Sequence, residues 1–321
     1  MKALQAKTPL AYSIGKSGVP WAKSEKELWL SSRKVRRSYL DEVVSQIKPL
    51  SECPELELVQ YGSLSPHLPL YAAKPRVWDQ DKPSLLVTGG VHGYETSGVM
   101  GAVRFLLCHA FSYTDAFNVV VAPCVSPWGF ETVERWNSKA LDPNRSFVEE
   151  EMADRTEEGD ALVSFLESLG EGDPKWLCHV DLHETTDTDV SEFRPARAAH
   201  DGLVEYSGSI PDGFYLVGDS DAEVSQEEFL GGIIDSVRKI THIAEPDDDG
   251  LMCGEPVVQH GVISIPSKKV GICASVTGAM FCTTTEVYPD SPRTSDEECI
   301  KAQLAAVKAA FNYVAQYQTG F

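Results

Sequence analysis

Two stretches of this chain, Leu85-Leu86-Val87 and Val119-Val120-Val121-Ala122, are apolar at every position. A strand with one face in water alternates polar and apolar side chains, so a strand apolar throughout needs cover on both faces. That requirement points to a sheet with helices above and below, and the rest of the chain supplies them. Strand-like segments recur at 55–60, 68–73, 84–90, 117–123, 176–182, 213–218, 262–265 and 280–287. Helical spacing is found near 25–48, 96–111, 158–170, 222–240 and 295–317. Strands alternating with helices specify an α/β fold, a three-layer α/β/α arrangement around a central mostly parallel or mixed twisted sheet. The last helical stretch places Leu304, Val307, Phe311 and Val314 on one side, as suits a helix packed on that sheet.

Residues 1–25 read as irregular lead-in, broken by Gly15, Gly18 and Pro20. Ser24 with Glu27 makes a capping box for a helix over 25–48. Although 321 residues is long for one domain, there is no internal repeat, low-complexity tract or Pro/Ser linker. A single domain over 1–321 is expected, with 1–75 as N-terminal lead-in, helix and edge strands.

The formal charge of −20 argues against nucleic acid and anionic membrane as partners. Only Arg33-Lys34-Val35-Arg36-Arg37 is locally basic, and it reads as a solvated helix face before Tyr39. The eight cysteines are scattered without a CxxC pair, several in apolar runs such as Phe281-Cys282-Thr283. That is the pattern of buried thiols in a reducing compartment. The N-terminus lacks the apolar stretch of a signal peptide, and no segment approaches the ~18 consecutive apolar residues of a membrane span. The expected address is the cytoplasm.

The first all-apolar run leads into Thr88-Gly89-Gly90-Val91-His92-Gly93-Tyr94-Glu95. A strand thus ends in two glycines and delivers an imidazole and a carboxylate three residues apart. Both are good zinc ligands, and a catalytic zinc typically takes three protein donors. The third donor comes from Cys178-His179-Val180-Asp181-Leu182-His183-Glu184, another strand end. His179 and His183 share one face of that strand, and His183, nearer its end, is better placed for the mouth of a site. Asp181, Glu184 and Asp142 are candidates to orient a ligand histidine. The spacing alone is not specific: His242-Ile243-Ala244-Glu245 repeats it at a helix end before the acidic turn Pro246-Asp247-Asp248-Asp249-Gly250. Glu286 lies late in a further apolar, threonine-rich strand, where a carboxylate without a function is costly to bury. In open α/β sheets, sites gather beyond the carboxyl ends of strands, where all these groups lie.

With these pieces in order, the chain resembles the zinc carboxypeptidase family, the M14 metallopeptidases. The matching elements are Gly90-Val91-His92-Gly93-Tyr94-Glu95, Arg135, Asp142-Pro143-Asn144-Arg145-Ser146-Phe147, Asp181-Leu182-His183 and Thr284-Thr285-Glu286-Val287. The resemblance implies one Zn2+ held by His92, Glu95 and His183, with Glu286 as general base. It implies Arg135 as the cation facing the scissile carbonyl and its oxyanion, and Asn144 with Arg145 as the grip on a substrate carboxylate. A guanidinium offers a fixed fork of donors that matches a carboxylate.

The chain also departs from the family's secreted digestive members. They carry a mobile tyrosine upstream of the catalytic glutamate, and Val262-Ile263-Ser264-Ile265-Pro266-Ser267-Lys268-Lys269 has none. The Asp181-Leu182-His183-Glu184-Thr185-Thr186-Asp187 run is similar to the related aspartoacylase and succinylglutamate desuccinylase group. The leading expectation is a metallocarboxypeptidase acting on a peptide with a free carboxylate. The alternative is hydrolysis of a small N-acyl amino acid, and a third reading is a zinc-binding interaction protein without turnover.

Overall fold

The computed structural model describes residues 8–9, 12–148, 155–170, 174–206 and 208–319. One ten-stranded sheet runs through it. Its strands are β1 (Leu56–Ser63), β2 (Pro69–Pro75), β3 (Ser84–Gly89), β4 (Asn118–Ala122), β5 (Trp176–Glu184), β6 (Tyr215–Asp219), β7 (Leu251–Met252), β8 (Glu255–Gln259), β9 (Val262–Ile265) and β10 (Phe281–Val287). They lie in the order β1-β2-β4-β3-β5-β10-β6-β9-β8-β7. The central four, β4, β3, β5 and β10, are parallel, while β2 and β6 flank them antiparallel. The sheet is therefore mixed, with a parallel centre, as the apolar runs require.

Those runs show why. Leu85, Val87, Val119 and Val121 face a core shared with Val99 and Phe105 of α2 (Thr96–Cys108) and Val307 and Phe311 of α7 (Asp296–Thr319). The alternate positions Leu86, Val120 and Ala122 face the other way, onto Leu162, Phe165 and Leu166 of α4 (Glu157–Glu167). Successive strand side chains point to opposite faces, so both faces need apolar residues. Helix α6 (Glu227–Val237) joins the α2 and α7 layer through Phe229, Ile233 and Val237.

The connections place a crevice. After β3 the chain crosses through α2 to β4 on one side, and then returns to β5 on the other side of β3. Connections leaving in opposite directions part above the carboxyl ends of β3 and β5. His92 follows β3, and His183 closes β5. The register adds Glu286, which pairs with His183 across the parallel β5–β10 ladder.

Several expectations are corrected. The helix expected over 25–48 is interrupted: α1 covers Lys23–Ser32, residues 33–37 are irregular, and helical turns resume at Leu40–Val44. The start of α1 is also earlier, because the Glu25 carboxylate accepts from the Ala22 N–H at 3.1 Å. Strands β7 and β8, helix α3 (Pro127–Thr132) and helix α5 (Arg194–His200) carry no strong sequence period, being short or polar. Part of the lead-in is ordered as well, since Thr8–Pro9 pairs with Glu205–Tyr206. All eight cysteines are free, five of them buried. Among the described residues no helix is long and apolar enough to cross a membrane.

Candidate active site

The loop after β3 is shaped by two glycines. Gly90 has φ +60°, which an L side chain rarely adopts. Gly93 sits flush on α3: a Cβ there would lie 2.0 Å from the Phe130 nitrogen. The turn closes with the Glu95 N–H donating to the His92 carbonyl at 3.2 Å, which brings both side chains to one side. His92, Glu95 and His183 are each buried, and their donor atoms all lie within 4.8 Å of one another.

The geometry around them is that of a cation site. His92 Nδ1 lies 2.8 Å from Glu95 Oε1, and His183 Nδ1 lies 2.6 Å from Glu95 Oε2. The second contact is close but off line, leaving His183 Nδ1 buried without a well-directed hydrogen bond. Ring and carboxylate aim at a shared point more than at each other. The far nitrogens are committed elsewhere: His92 Nε2 to Asp142 Oδ1 at 2.9 Å and His183 Nε2 to Asp181 Oδ2 at 2.8 Å. A carboxylate accepting the Nε2 proton leaves the Nδ1 lone pair free for a metal. Two imidazole nitrogens and a carboxylate, buried and oriented in this way, fit a divalent ion of the zinc type.

The charges agree. Burial alone would raise the Glu95 carboxyl, but the His183 and His92 rings overcome it and hold it well below the usual range. Burial would likewise depress His183, yet Asp181 and Glu95 keep its imidazolium well above the ordinary histidine value. A proton thus does between Glu95 and His183 what a cation would do. Asp142, despite its burial, is held well below the usual range by Arg135 and His92.

Behind this set lies a second buried group of metal-competent side chains, His179, Asp181 and Cys273. Thr88 stands among them, donating to Asp181 Oδ1 at 2.6 Å and lying 2.8 Å from His179 Nε2. Burial pulls His179 down to about 4, so it is neutral at ordinary pH. His179 and His183 therefore separate cleanly: one reaches Glu95, and the other supports Asp181 from behind.

A cleft of about 390 Å³ is walled by Glu184, the next residue after His183, and by Glu286, the partner of His183 across the β5–β10 ladder, although none of the three candidate ligands lines it directly. Burial, and then the neighbouring Glu95 charge, push the Glu286 carboxyl up to about 8 against the opposing pull of His183 and a hydrogen bond from Thr185. That bond runs from Thr185 Oγ1 to Glu286 Oε2 at 2.9 Å, and the Tyr215 hydroxyl lies 2.8 Å from the same Oγ1. Arg135 also lines the cleft, its Nε 3.2 Å from Asp142 Oδ2 and its NH1 3.6 Å from Asp189 Oδ1. Arg145 lines it too, but Asn144 does not. The Asn144 carboxamide is turned inward, accepting from the Cys273 N–H at 2.7 Å with its Nδ2 3.4 Å from His183 Nε2.

Some of the cleft escaped sequence reading. Arg194 and Arg197, from the short helix α5, bring the guanidiniums on its wall to four of the chain's twelve arginines. Burial, and the nearby charges of Arg135 and Arg197, pull the Arg145 pKa below its ordinary value against the attraction of Asp142. Tyr215 is one polar hydroxyl in an apolar strand, and Thr185 and Asp189 lie in the polar run 183–189, where nothing in the sequence singles them out. Tyr94 lay inside the ligand motif, yet its hydroxyl bonds to Asp189, at 2.9 and 3.0 Å from its two oxygens, could not be read from it.

Comparison with known proteins finds two kinds of likeness. Residues 81–203 match the family model described as "Succinylglutamate desuccinylase/Aspartoacylase catalytic domain". No curated protein matches the chain in a sequence search. Among solved structures, a provisionally assigned metallopeptidase from Shewanella amazonensis SB2B aligns at TM-score 0.65 and 21% identity, covering 88% of this chain and 98% of the other. A metallo-carboxypeptidase from Burkholderia cenocepacia aligns at TM-score 0.58 and 13% identity, over 93% and 70%. Bovine thrombin-activatable fibrinolysis inhibitor aligns at TM-score 0.54 and 12% identity, over 94% and 99%. At such identities the likeness is one of fold. The chain thus carries a segment of the succinylglutamate desuccinylase/aspartoacylase type within an α/β fold of the metallo-carboxypeptidase kind.

Proposed function

We propose that this protein is a metal-dependent hydrolase that cleaves an amide bond next to a free carboxylate, acting as a carboxypeptidase on peptide C-termini. The observation that carries the reading is the convergence of His92, Glu95 and His183 beside a cleft that holds Glu286, Arg135 and Arg145. One Zn2+, held by the first three, would supply Lewis-acid activation of water and of the scissile carbonyl. Glu286 takes a proton from the attacking water and returns it to the leaving amine. Its second oxygen is held by Thr185, which fixes the carboxylate while leaving Oε1 for that transfer. Arg135, oriented by Asp142 and Asp189, presents positive charge to the developing oxyanion. Arg145 receives the substrate carboxylate, while Asn144 serves as a buried brace.

The likeness to metallopeptidase folds over most of the chain supports the peptide reading. The family model over residues 81–203 and the four guanidiniums on the cleft wall favour a second one, hydrolysis of a small N-acyl amino acid bearing more than one carboxylate. A zinc-binding module without turnover would have no use for Glu286, half-buried on the cleft wall. Steady-state assays separate the three. Peptides with a free C-terminus are hydrolysed and their amidated counterparts are not, if the leading reading holds. Turnover of N-acetyl-aspartate or N-succinyl-glutamate with peptides inert selects the second, and no turnover by the zinc-loaded protein selects the third.

A further inference from the structure

The basic run at residues 33–37 is not a solvated helix face. Its two half-buried members, Arg33 and Arg37, reach into the molecule, whereas Lys34 and Arg36 stay exposed. Arg33 pairs with Glu134 and Glu192. Arg37 does something different: no carboxylate is among its hydrogen-bond partners. Its Nε donates to the Phe130 carbonyl at 2.6 Å, NH1 to Thr96 Oγ1 at 2.7 Å and NH2 to the Gly93 carbonyl at 3.0 Å. Its guanidinium carbon stands 3.6 Å from the centre of the Phe130 ring.

Those three acceptors belong to three different pieces of the site. Gly93 lies inside the turn between His92 and Glu95. Thr96 opens α2, directly after Glu95. Phe130 sits in the last turn of α3, where its carbonyl also accepts from the Val133 N–H at a long 3.4 Å. The same turn of α3 is the surface on which Gly93 is packed too tightly for any side chain. One planar fork of donors therefore bolts the turn bearing both side chains to the two helices that confine it. Burying a cation is costly, and among the described residues no carboxylate touches the half-buried Arg37, Glu42 and Glu184 acting on it only at longer range. The bonds and the ring contact must offset that cost, so their placement is specific.

We infer that Arg37 is a positioning residue for the metal site: it fixes the His92–Glu95 turn so that the two donors hold their separation before an ion binds. The inference rests on His92 and Glu95 being metal ligands. It also assigns a role to a residue that precedes the segment matched by the family model. Groups that orient ligands from outside typically contribute ~10–100-fold in metal affinity.

The test is Zn2+ affinity of the full chain by chelator competition, with secondary structure followed by circular dichroism. Arg37→Ala weakens Zn2+ binding by ~10–100-fold, whereas Arg36→Ala, which removes an exposed charge from the same run, stays within twofold of wild type. Millimolar guanidinium restores part of the affinity of Arg37→Ala and does nothing for wild type, a rescue that a general loss of packing does not show. If Arg37→Ala does not fold, Arg37→Lys carries the test. It keeps the charge and the stem but not the fork, and weakens binding by several-fold. Wild-type affinity in a folded Arg37→Ala or Arg37→Lys, or no guanidinium rescue of a weakened Arg37→Ala, overturns the inference. A wild-type protein that binds no Zn2+ refutes the metal-site reading itself, which is a separate outcome.

Discussion

His92 and Glu95 follow a buried strand at the centre of the sheet, while His242 and Glu245, with the same spacing, follow α6 and run extended beside Phe214. In the first copy a turn folds residue i+3 back over residue i, and both side chains meet. In the second, an extended backbone sends positions of odd separation to opposite sides. His242 Nε2 accordingly pairs with Asp212 at 2.9 Å and Glu245 with His260 at 3.1 Å, each in a different direction. Equal spacing in sequence therefore says little about chemistry. Gly90, Gly93 and the helices that clamp the turn decide whether the two donors converge.

The comparison is most sharply broken at Glu286, a group the first copy has beside it and the second lacks. Glu286→Gln keeps shape and metal ligands but removes the base, so turnover falls by ~10²–10⁴-fold while Zn2+ affinity is retained. Unchanged turnover would falsify the assignment of the base. Next in size is the ligand set itself. His92→Ala lowers Zn2+ affinity by more than the ~10–100-fold that loss of an outer partner costs, and chelator treatment of wild type abolishes activity, which added Zn2+ restores. Asp142→Asn falls between these and wild type, at ~10–100-fold in affinity, because His92 Nε2 loses its carboxylate and Arg135 loses half of its anchorage. An affinity unchanged within twofold would mean that the turn alone orients His92.

Much of this was legible from residues and their order. The all-apolar runs at 85–87 and 119–122 fixed the burial of the central strands, and the eight expected strands all form. The donors at strand ends were visible because parallel sheets deliver the carboxyl ends of distant segments to one edge. What escaped was set by backbone detail. Period alone predicts a helix over 25–48, yet the bonds of Arg33 and Arg37 to other segments favour an irregular stretch there. Arg194 and Arg197 enter the cleft from a seven-residue helix with no amphipathic signature of its own. The resemblance alone implies Asn144 as a substrate contact, and only the Cys273 amide shows where its carboxamide is engaged.

Titration offers a smaller effect, with a definite sign. In the metal-free protein Glu286 is raised to about 8 and Glu184 to about 7, each chiefly by burial. The folded chain then holds protons on these groups that the unfolded chain has already released above the ordinary carboxylate range. These two groups therefore make the metal-free protein less stable as pH rises from about 4.5 through about 8, while His179, lowered to about 4, works the opposite way below its ordinary value. Glu286→Gln flattens part of that decline, read as midpoint temperature against pH. A dication at His92, Glu95 and His183 favours the ionised carboxylate, so Zn2+ loading shifts the decline to lower pH and shrinks it. A decline identical in wild type and Glu286→Gln would place the raised carboxyl elsewhere.

The smallest expected effect belongs to the second copy. His242→Ala removes an ion pair whose aspartate is about half exposed, and exposed pairs of this kind contribute ~0–1 kcal/mol. Glu245→Ala removes a partner from His260 on the open surface. Neither side chain touches the cleft, so Zn2+ affinity and turnover should stay within twofold of wild type in both single variants and in the double. The sharper experiment puts the backbone on trial, not the side chains. Gly93→Ala leaves the donors in sequence but forces a Cβ against the Phe130 nitrogen, which α3 cannot yield without moving the turn. If convergence makes the site, Gly93→Ala should lose Zn2+ affinity while His242→Ala keeps it. Tight binding in Gly93→Ala would show that the imidazole and carboxylate find the ion from more than one backbone, and the distinction between the two copies would then rest on their surroundings alone.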